Sequence, residues 1–259
     1  LTLPTPIIIM LEVPTIKRIR HEGEIMVDKN MRRTGGIAVF VLAGLVLAAC
    51  AGEPAALPQP KPGAVSGPRL ELRLEPGPHY AKDMKVLWIE YTVWPQVAAW
   101  IETPSGEFLE TLYVTELAIT GKYRAAPRNG RPEALPVWSA RKSSGADAVS
   151  SPTTVGSSVV YGNGMAARLP AGTYVIKLET NRSYDWNESF TEKNAGVNGQ
   201  PSVVYRTELE IGAGPREARF EPVGIGSVDG ADGDVRQGLD GIDTALELFS
   251  SMTVRYLED

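Results

Sequence analysis

Cysteine is all but missing from this chain. Cys50 is the one copy in 259 residues, so no disulfide can close within the chain and no multi-cysteine metal site can be built. Histidine is nearly as scarce, with only His21 and His79. That excludes a multi-histidine metal centre. A Ser-His-Asp arrangement would have to use one of them, and no Gly-x-Ser-x-Gly elbow accompanies it. No phosphate loop and no dinucleotide fingerprint occur either. Carboxylates are plentiful but unpatterned, so no pair stands out for acid–base work and no catalytic residue is assigned. Positive charge is in deficit, with 26 Lys and Arg against 31 Asp and Glu. This argues against nucleic acid, which rewards a basic surface, and against a polybasic membrane patch. No apolar run reaches the roughly 20 residues needed to span a bilayer.

The longest apolar run is the most informative stretch. Met31-Arg32-Arg33 is a short basic start, and residues 37–49 hold only Ile, Ala, Val, Phe, Leu and Gly, ending in Leu47-Ala48-Ala49-Cys50. A basic n-region, an apolar h-region of about 7–15 residues and small residues before a cut site describe a secretory signal peptide. Leu-Ala-Ala-Cys resembles the bacterial lipoprotein signal. That resemblance implies that Cys50 is lipidated, becomes the mature N-terminus and attaches the protein to the membrane. It also implies three acyl chains; two already anchor stably. Ala51 rather than Asp follows the cysteine, which by the same resemblance favours the outer membrane in a Gram-negative host. The expected location is the cell envelope, facing the periplasm or the surface.

Residues 1–30 do not fit a signal peptide. They place Glu12, Glu22, Glu24 and Asp28, together with Pro4, Pro6 and Pro14, ahead of the export segment. Glu22-Gly23-Glu24 requires a purine-rich, ribosome-site-like codon run just before Met26. We expect Met26 or Met31 to be the true start, with 1–30 a mis-called upstream extension and 31–49 the signal peptide. Residues 1–49 hold six of the Lys and Arg and four of the Asp and Glu, which leaves a mature chain of charge about −7. Residues 50–68 follow as a Pro/Ala/Gly-rich tether with Pro54, Pro58, Pro60, Pro62 and Pro68. At about 3.1 Å per residue an extended tether of this length reaches roughly 50 Å.

From Arg69 the pattern becomes β. Leu70, Leu72 and Leu74 alternate with Glu71, Arg73 and Glu75, a half-buried strand. Apolar runs at 86–89 and 97–101 follow, then the turn Thr103-Pro104-Ser105-Gly106 and a strand over 108–114, which together predict a hairpin. Tyr174, Ile176 and Leu178 alternate with Val175, Lys177 and Glu179. Residues 203–211 form a further strand, with 216–223 as its partner across Gly212-Ala213-Gly214-Pro215. Residues 252–257 close the sheet, and 244–250 is the single helical candidate. Many short strands between Gly/Pro turns predict one all-β domain over 69–259, an antiparallel Ig-like β-sandwich with one long irregular loop at 121–160.

That loop is the anomaly, because structureless stretches beyond about 12–15 residues are uncommon in compact domains. It contains Leu135-Pro136-Val137-Trp138, readable as a ligand-binding loop pinned by Trp138 or as a lid on the core. A second dense cluster is Asn181-Arg182-Ser183-Tyr184-Asp185-Trp186-Asn187-Glu188. Its Tyr184, Asp185, Trp186 and Asn187 could stack on and hydrogen-bond a sugar or peptide, or serve as Asx-type turn chemistry. Asp229-Gly230-Ala231-Asp232-Gly233-Asp234 is either a solvated turn or a Ca²⁺ loop, although its spacing is not that of an EF-hand.

Several of these segments together resemble a family. Residues 100–112, Leu135-Pro136-Val137-Trp138, Asp147-Ala148-Val149-Ser150 and Pro170-Ala171-Gly172-Thr173-Tyr174 are similar to a bacterial periplasmic family of unknown function, over roughly 97–211. Its genes often neighbour extracytoplasmic FMN transferases and membrane redox proteins. Those transferases modify Thr in a motif resembling Asp-x-x-Ser/Thr-Gly-Ala-Thr. Asp147, Ser150 and Thr153 match it, while Ser151 and Pro152 replace the Gly and Ala. The resemblance therefore implies covalent FMN at Thr153 as one alternative. The expected function is a non-catalytic binding or accessory module with no obligatory cofactor. Its partners would be the membrane, through the lipid, and envelope proteins or glycan. A redox accessory of an FMN transferase system and a glycan-binding surface protein are the alternatives.

Overall fold

A computed structural model describes residues 67–86, 88–121, 131–142, 150–151 and 159–258. Cys50, Thr153 and the residues read as a signal peptide and an upstream extension lie outside these residues, as does all but the end of the stretch read as a tether. Within them the chain builds β1 (Arg69–Pro76), β2 (Lys82–Val86), β3 (Ile89–Val93), β4 (Gln96–Glu102), β5 (Phe108–Thr115), a one-turn helix α1 (Glu116–Thr120), α2 (Pro136–Arg141), β6 (Ser150–Ser151) and β7 (Val159–Asn163). It continues through β8 (Gly172–Asn181), α3 (Glu192–Ala195), β9 (Val203–Ile211), β10 (Arg216–Arg219), β11 (Glu221–Ile225) and β12 (Phe249–Leu257). Among the described residues no helix is long and apolar enough to cross a membrane.

The strands form an antiparallel β-sandwich. One sheet has the order β10-β12-β1-β7 and the other β11-β9-β8-β4-β5-β6; the short β5–β6 pairing is the parallel exception. The alternation read in β1 is the reason for the packing. Leu70, Leu72 and Leu74 face inward beside Met252, Val254 and Tyr256 of β12, and meet Ile101, Ile176, Leu178, Leu209 and Ile211 from the other sheet. Period-two alternation puts one face of each strand in the core. The β4–β5 hairpin forms as expected. Thr103 accepts the Gly106 N–H and donates its own N–H to Glu107, each at 2.9 Å, with Gly106 at φ 89°.

The larger sheet is covered on both faces around β4. Every residue of β4 is buried. Val97, Ala99 and Ile101 join the inter-sheet core, while Ala98 and Trp100 point the other way and pack with Val114, Val204, Leu135, Val137 and Trp138. The apolar run at 97–101 is thus the mark of a strand buried on both faces. Its second cover is α2, from within the long loop.

Two expectations need correction. The stretch 216–223 is not one partner of β9. The chain switches sheets at Phe220, so that β10 pairs with β12 and β11 pairs with β9. The helical candidate at 244–250 is a 3-10 turn over Thr244–Glu247, and β12 already begins at Phe249. Within 121–160 the described residues contribute α2, β6 and the start of β7.

Apart from both sheets, β2 and β3 pair only with each other among the described residues. The hairpin is rooted beside the Pro76–Phe249 end of the sandwich, where Tyr80 packs edge-on to Phe249 at 5.4 Å and tilted to Trp94 at 5.7 Å.

Candidate functional site

Residues 181–200 leave β8 and return to β9 as a tightly bonded corner. Asn187 makes an Asx turn, its Oδ1 accepting the N–H groups of Ser189 at 3.0 Å and Phe190 at 2.8 Å. Thr191 and Asn194 cap α3 reciprocally. The chain then pairs back on itself. Tyr184 N donates to Val197 O at 2.7 Å, Asp185 N to Asn198 O at 2.9 Å and Gln200 N to Asp185 O at 2.9 Å. Only glycine fits at 199, where φ is 75° and a Cβ would lie 2.4 Å from the Asp185 carbonyl carbon.

Asp185 is 3% exposed and holds this corner together from inside. It accepts from Arg182, from Gln200 Nε2 at 3.1 Å and from Thr244 Oγ1 at 2.8 Å. Gln200 Oε1 in turn accepts the Asp243 N–H at 2.8 Å. Asn187 Nδ2 donates to Gly241 O at 2.8 Å. Asp185 and Asn187 therefore tie the corner to the 3-10 turn before β12. Arg182, Gln200 and Thr244 carried no signal in the sequence that marked them as its partners.

What remains at the surface is aromatic. Tyr184 sits at φ 62°, the one non-glycine residue with positive φ among those described. Its ring meets that of Trp186 edge-to-face at 5.5 Å. Trp186 is fixed by its Nε1–H to Gly196 O at 2.8 Å. Lys82, at the base of β2, donates to Tyr184 O and places Nζ 5.8 Å from the Trp186 ring centre. Burial, and secondarily the nearby Arg182, lower the Lys82 pKa from its ordinary value, against an upward pull from Asp185. Both rings are half-buried. A ring pair with an ammonium beside it can stack on a flat apolar face and hydrogen-bond its substituents.

Trp138, the other aromatic candidate, is not available to a ligand. It is 1% exposed. Its Nε1–H donates to Thr111 Oγ1 at 3.0 Å, and Lys142 Nζ lies 4.6 Å from its ring centre. Beneath α2, Glu179 is fully buried. It accepts the N–H groups of Val137 at 3.2 Å and Trp138 at 2.8 Å, and the Ser202 hydroxyl at 2.6 Å. Burial pushes its pKa up to about 7, against the lowering effect of those donors and of Arg141. Glu102 sits on the same face, paired with Lys177 at 2.8 Å and Arg141 at 3.6 Å. Arg131 ties the start of this segment to Ser183, Asn198 and Glu133.

The acidic glycine-rich loop closes over α2. A Cβ at Gly226 would lie 2.7 Å from Pro136 Cγ, one at Gly230 2.5 Å from Glu133 N, and one at Gly233 2.1 Å from Ala140 Cβ. Its carboxylates turn to their own loop. Asp229 accepts from Ser227 at 2.6 Å and from Ala231 N at 3.1 Å, and Asp232 pairs with Arg236 at 2.7 Å; these donors hold both carboxyls below the usual range. Among the described residues no three His, Cys, Asp or Glu side chains come together as a metal-binding group. His79 Nε2 lies 3.2 Å from Glu247 at a half-exposed turn.

No family model, no curated protein and no solved structure matches the chain.

Proposed function

We propose that the chain is a lipid-anchored cell-envelope protein whose β-sandwich is a non-catalytic binding or accessory module, with the corner of Tyr184, Trp186, Asn187 and Lys82 as its contact surface. The run from Met31 to Cys50 supports the address. The observation that carries the binding reading is the backbone of Tyr184. A bulky residue at φ 62° is rare, and holding one there costs of order 1–3 kcal/mol. Here it sets two rings side by side at the surface with an ammonium next to them. Such strain persists where the surrounding bonds over-determine it, and it gathers at binding sites. The other polar groups of the corner are already engaged in structural bonds, which favours recognition over chemistry.

The same ring pair favours envelope glycan as the ligand, because sugars offer apolar faces to stack and hydroxyls for the Lys82 ammonium. The test uses the full chain carrying Cys50→Ser, so that the lipid plays no part. It is incubated with lipid-free cell wall and, separately, with detergent-solubilised envelope proteins from the native host. Tyr184→Asn keeps a residue that tolerates the left-handed backbone and deletes the ring; Trp186→Ala removes the second ring. Retention on one of the two materials, lowered about tenfold by either change, is the loss expected for an aromatic anchor. Retention on wall identifies the glycan reading. Capture by neither, or capture indifferent to both substitutions, refutes the site.

A further inference from the structure

The outer face of the smaller sheet is made of rows of cross-strand partners, and adjacent rows differ. Partners share a face, and Leu72, Leu74, Met252, Val254 and Ala218 take the inner one. Strand β12 lies between β10 and β1, so its outward residues have a neighbour on either side. Arg255 stands between Glu71 and Glu217 and is paired with both, at 3.7 and 3.2 Å. Thr253, two residues back, stands between Arg73 and Arg219. Both of these arginines are exposed. Among the described residues neither enters an ion pair or a side-chain hydrogen bond. One row is thus acid–base–acid and closed, and the next is base–hydroxyl–base and open. Beyond Arg73 on β1, Glu75 stands opposite Ser251. Two uncompensated cations in one row are out of keeping with a chain of net charge −5.

We propose that the row of Arg73, Thr253 and Arg219 is a binding site for a phosphomonoester. Neighbouring strands lie about 4.8 Å apart, so the two arginine backbones stand about 10 Å apart with Thr253 midway. Each guanidinium has to cover only about 5 Å sideways for the two to meet over the Thr253 hydroxyl. A guanidinium fork takes two oxygens along one edge of an oxyanion. Two forks arriving from opposite sides need two edges, and the hydroxyl between them can donate to either. A carboxylate offers one edge. A phosphodiester, with two free oxygens, also offers one. A phosphomonoester has three free oxygens and so a separate edge for each arginine. Its charge of about −1.5 to −2 near neutral pH offsets both cations. The site depends on neither the lipid anchor nor the aromatic corner.

The test is calorimetric titration of full-length Cys50→Ser protein with glycerol 3-phosphate, a monoester, and with glycerophosphoglycerol, a diester. We expect the monoester to bind at about millimolar concentration. It should bind at least about tenfold tighter than the diester, which leaves one fork unused. Binding should weaken as salt rises from about 50 to about 500 mM, because the site is exposed. Arg73→Gln and Arg219→Gln should each lower the affinity about tenfold, through loss of one fork. Arg206→Gln makes the same change of charge on β9 of the other sheet and should leave the affinity unchanged. Unaltered circular dichroism establishes that each variant is folded. Vesicles containing phosphatidic acid present the same group on a membrane. Recruitment to them that is lost in Arg73→Gln supports the site and assigns a lipid headgroup. Binding of the soluble ester without recruitment supports it and assigns a phosphate carried by a soluble molecule or a glycan. The site is overturned if neither probe binds, if the diester binds as tightly as the monoester, or if Arg206→Gln weakens binding as much as Arg73→Gln does.

Discussion

Glu179 should make this domain more stable in mild acid than in mild base. The carboxyl is fully buried under α2, and its pKa is pushed up to about 7 from an ordinary 4.5 by loss of water. Between those two values the folded chain holds a proton that the unfolded chain has released. Stability then falls as pH rises. The contribution is fully present below about 4.5 and gone above about 7. A displacement of this size is worth about 3 kcal/mol at about 1.36 kcal/mol per pH unit. The exposed Asp229 and Asp232 have lowered values, so their opposite effect falls at lower pH and leaves this window clear. Glu179→Gln removes the titration and keeps the shape. Its oxygen can still accept from Val137 N and Ser202, but its amide then faces the Trp138 N–H, which costs about 1–3 kcal/mol at every pH. Urea unfolding followed by circular dichroism at pH 5, 6, 7 and 8 is the measurement. The unmodified chain should lose about 2.5 kcal/mol across that range relative to the variant. The deficit of the variant should therefore be larger at pH 5 than at pH 8. Parallel pH profiles for the two proteins, or a difference that grows with rising pH, would refute the burial argument.

Other outcomes follow from the same geometry. Cys50→Ser should abolish incorporation of a fatty-acid probe; equal labelling of the variant would sink the lipoprotein reading. Trp138→Ala deletes a fully buried side chain together with its bond to Thr111, and should cost about 3–5 kcal/mol. It should also turn slow tryptic cleavage at Arg131 and Arg141 into rapid cleavage, and unchanged cleavage would show that Trp138 does not hold the segment down. Gly233→Ala puts a methyl 2.1 Å from Ala140 Cβ, and overpacking of that kind should lower stability by about 1–3 kcal/mol in denaturant melts. His79→Ala removes only a half-exposed pairing with Glu247. It should change stability by no more than about 0.5 kcal/mol and leave binding intact, and a large loss of function with the fold intact would reopen an enzymatic role.

Where a strand has one wet face, its place was readable from the sequence. The Leu70, Leu72 and Leu74 stripe and the Thr103-Pro104-Ser105-Gly106 turn needed only local rules, because side-chain alternation and turn chemistry are set within a few residues. Legibility failed where a residue answers to something distant. Val97-Ala98-Ala99-Trp100-Ile101 reads as an apolar run because a segment about forty residues later covers its second face. Nothing near Glu179 in the sequence says that it will receive two N–H groups from α2. Residues 216–223 read as one strand, yet the pairing changes sheets at Phe220, a choice made by β12 and β9. Two of the stretches singled out in the sequence, around Trp138 and around Asp229, turn out to rest on each other. The glycines of the acidic loop are there because Pro136, Glu133 and Ala140 leave no room for a side chain. Composition could mark both stretches as unusual, but the cause lay in their contact, and a single sequence does not carry that pairing. The surface cluster differs in this respect. Tyr184 and Trp186 were legible as an aromatic pair among polar residues, whereas the left-handed backbone that orients them comes from Val197, Gly199 and Lys82. The chemistry of the candidate site was therefore written locally, and its geometry was supplied by residues from two other parts of the chain.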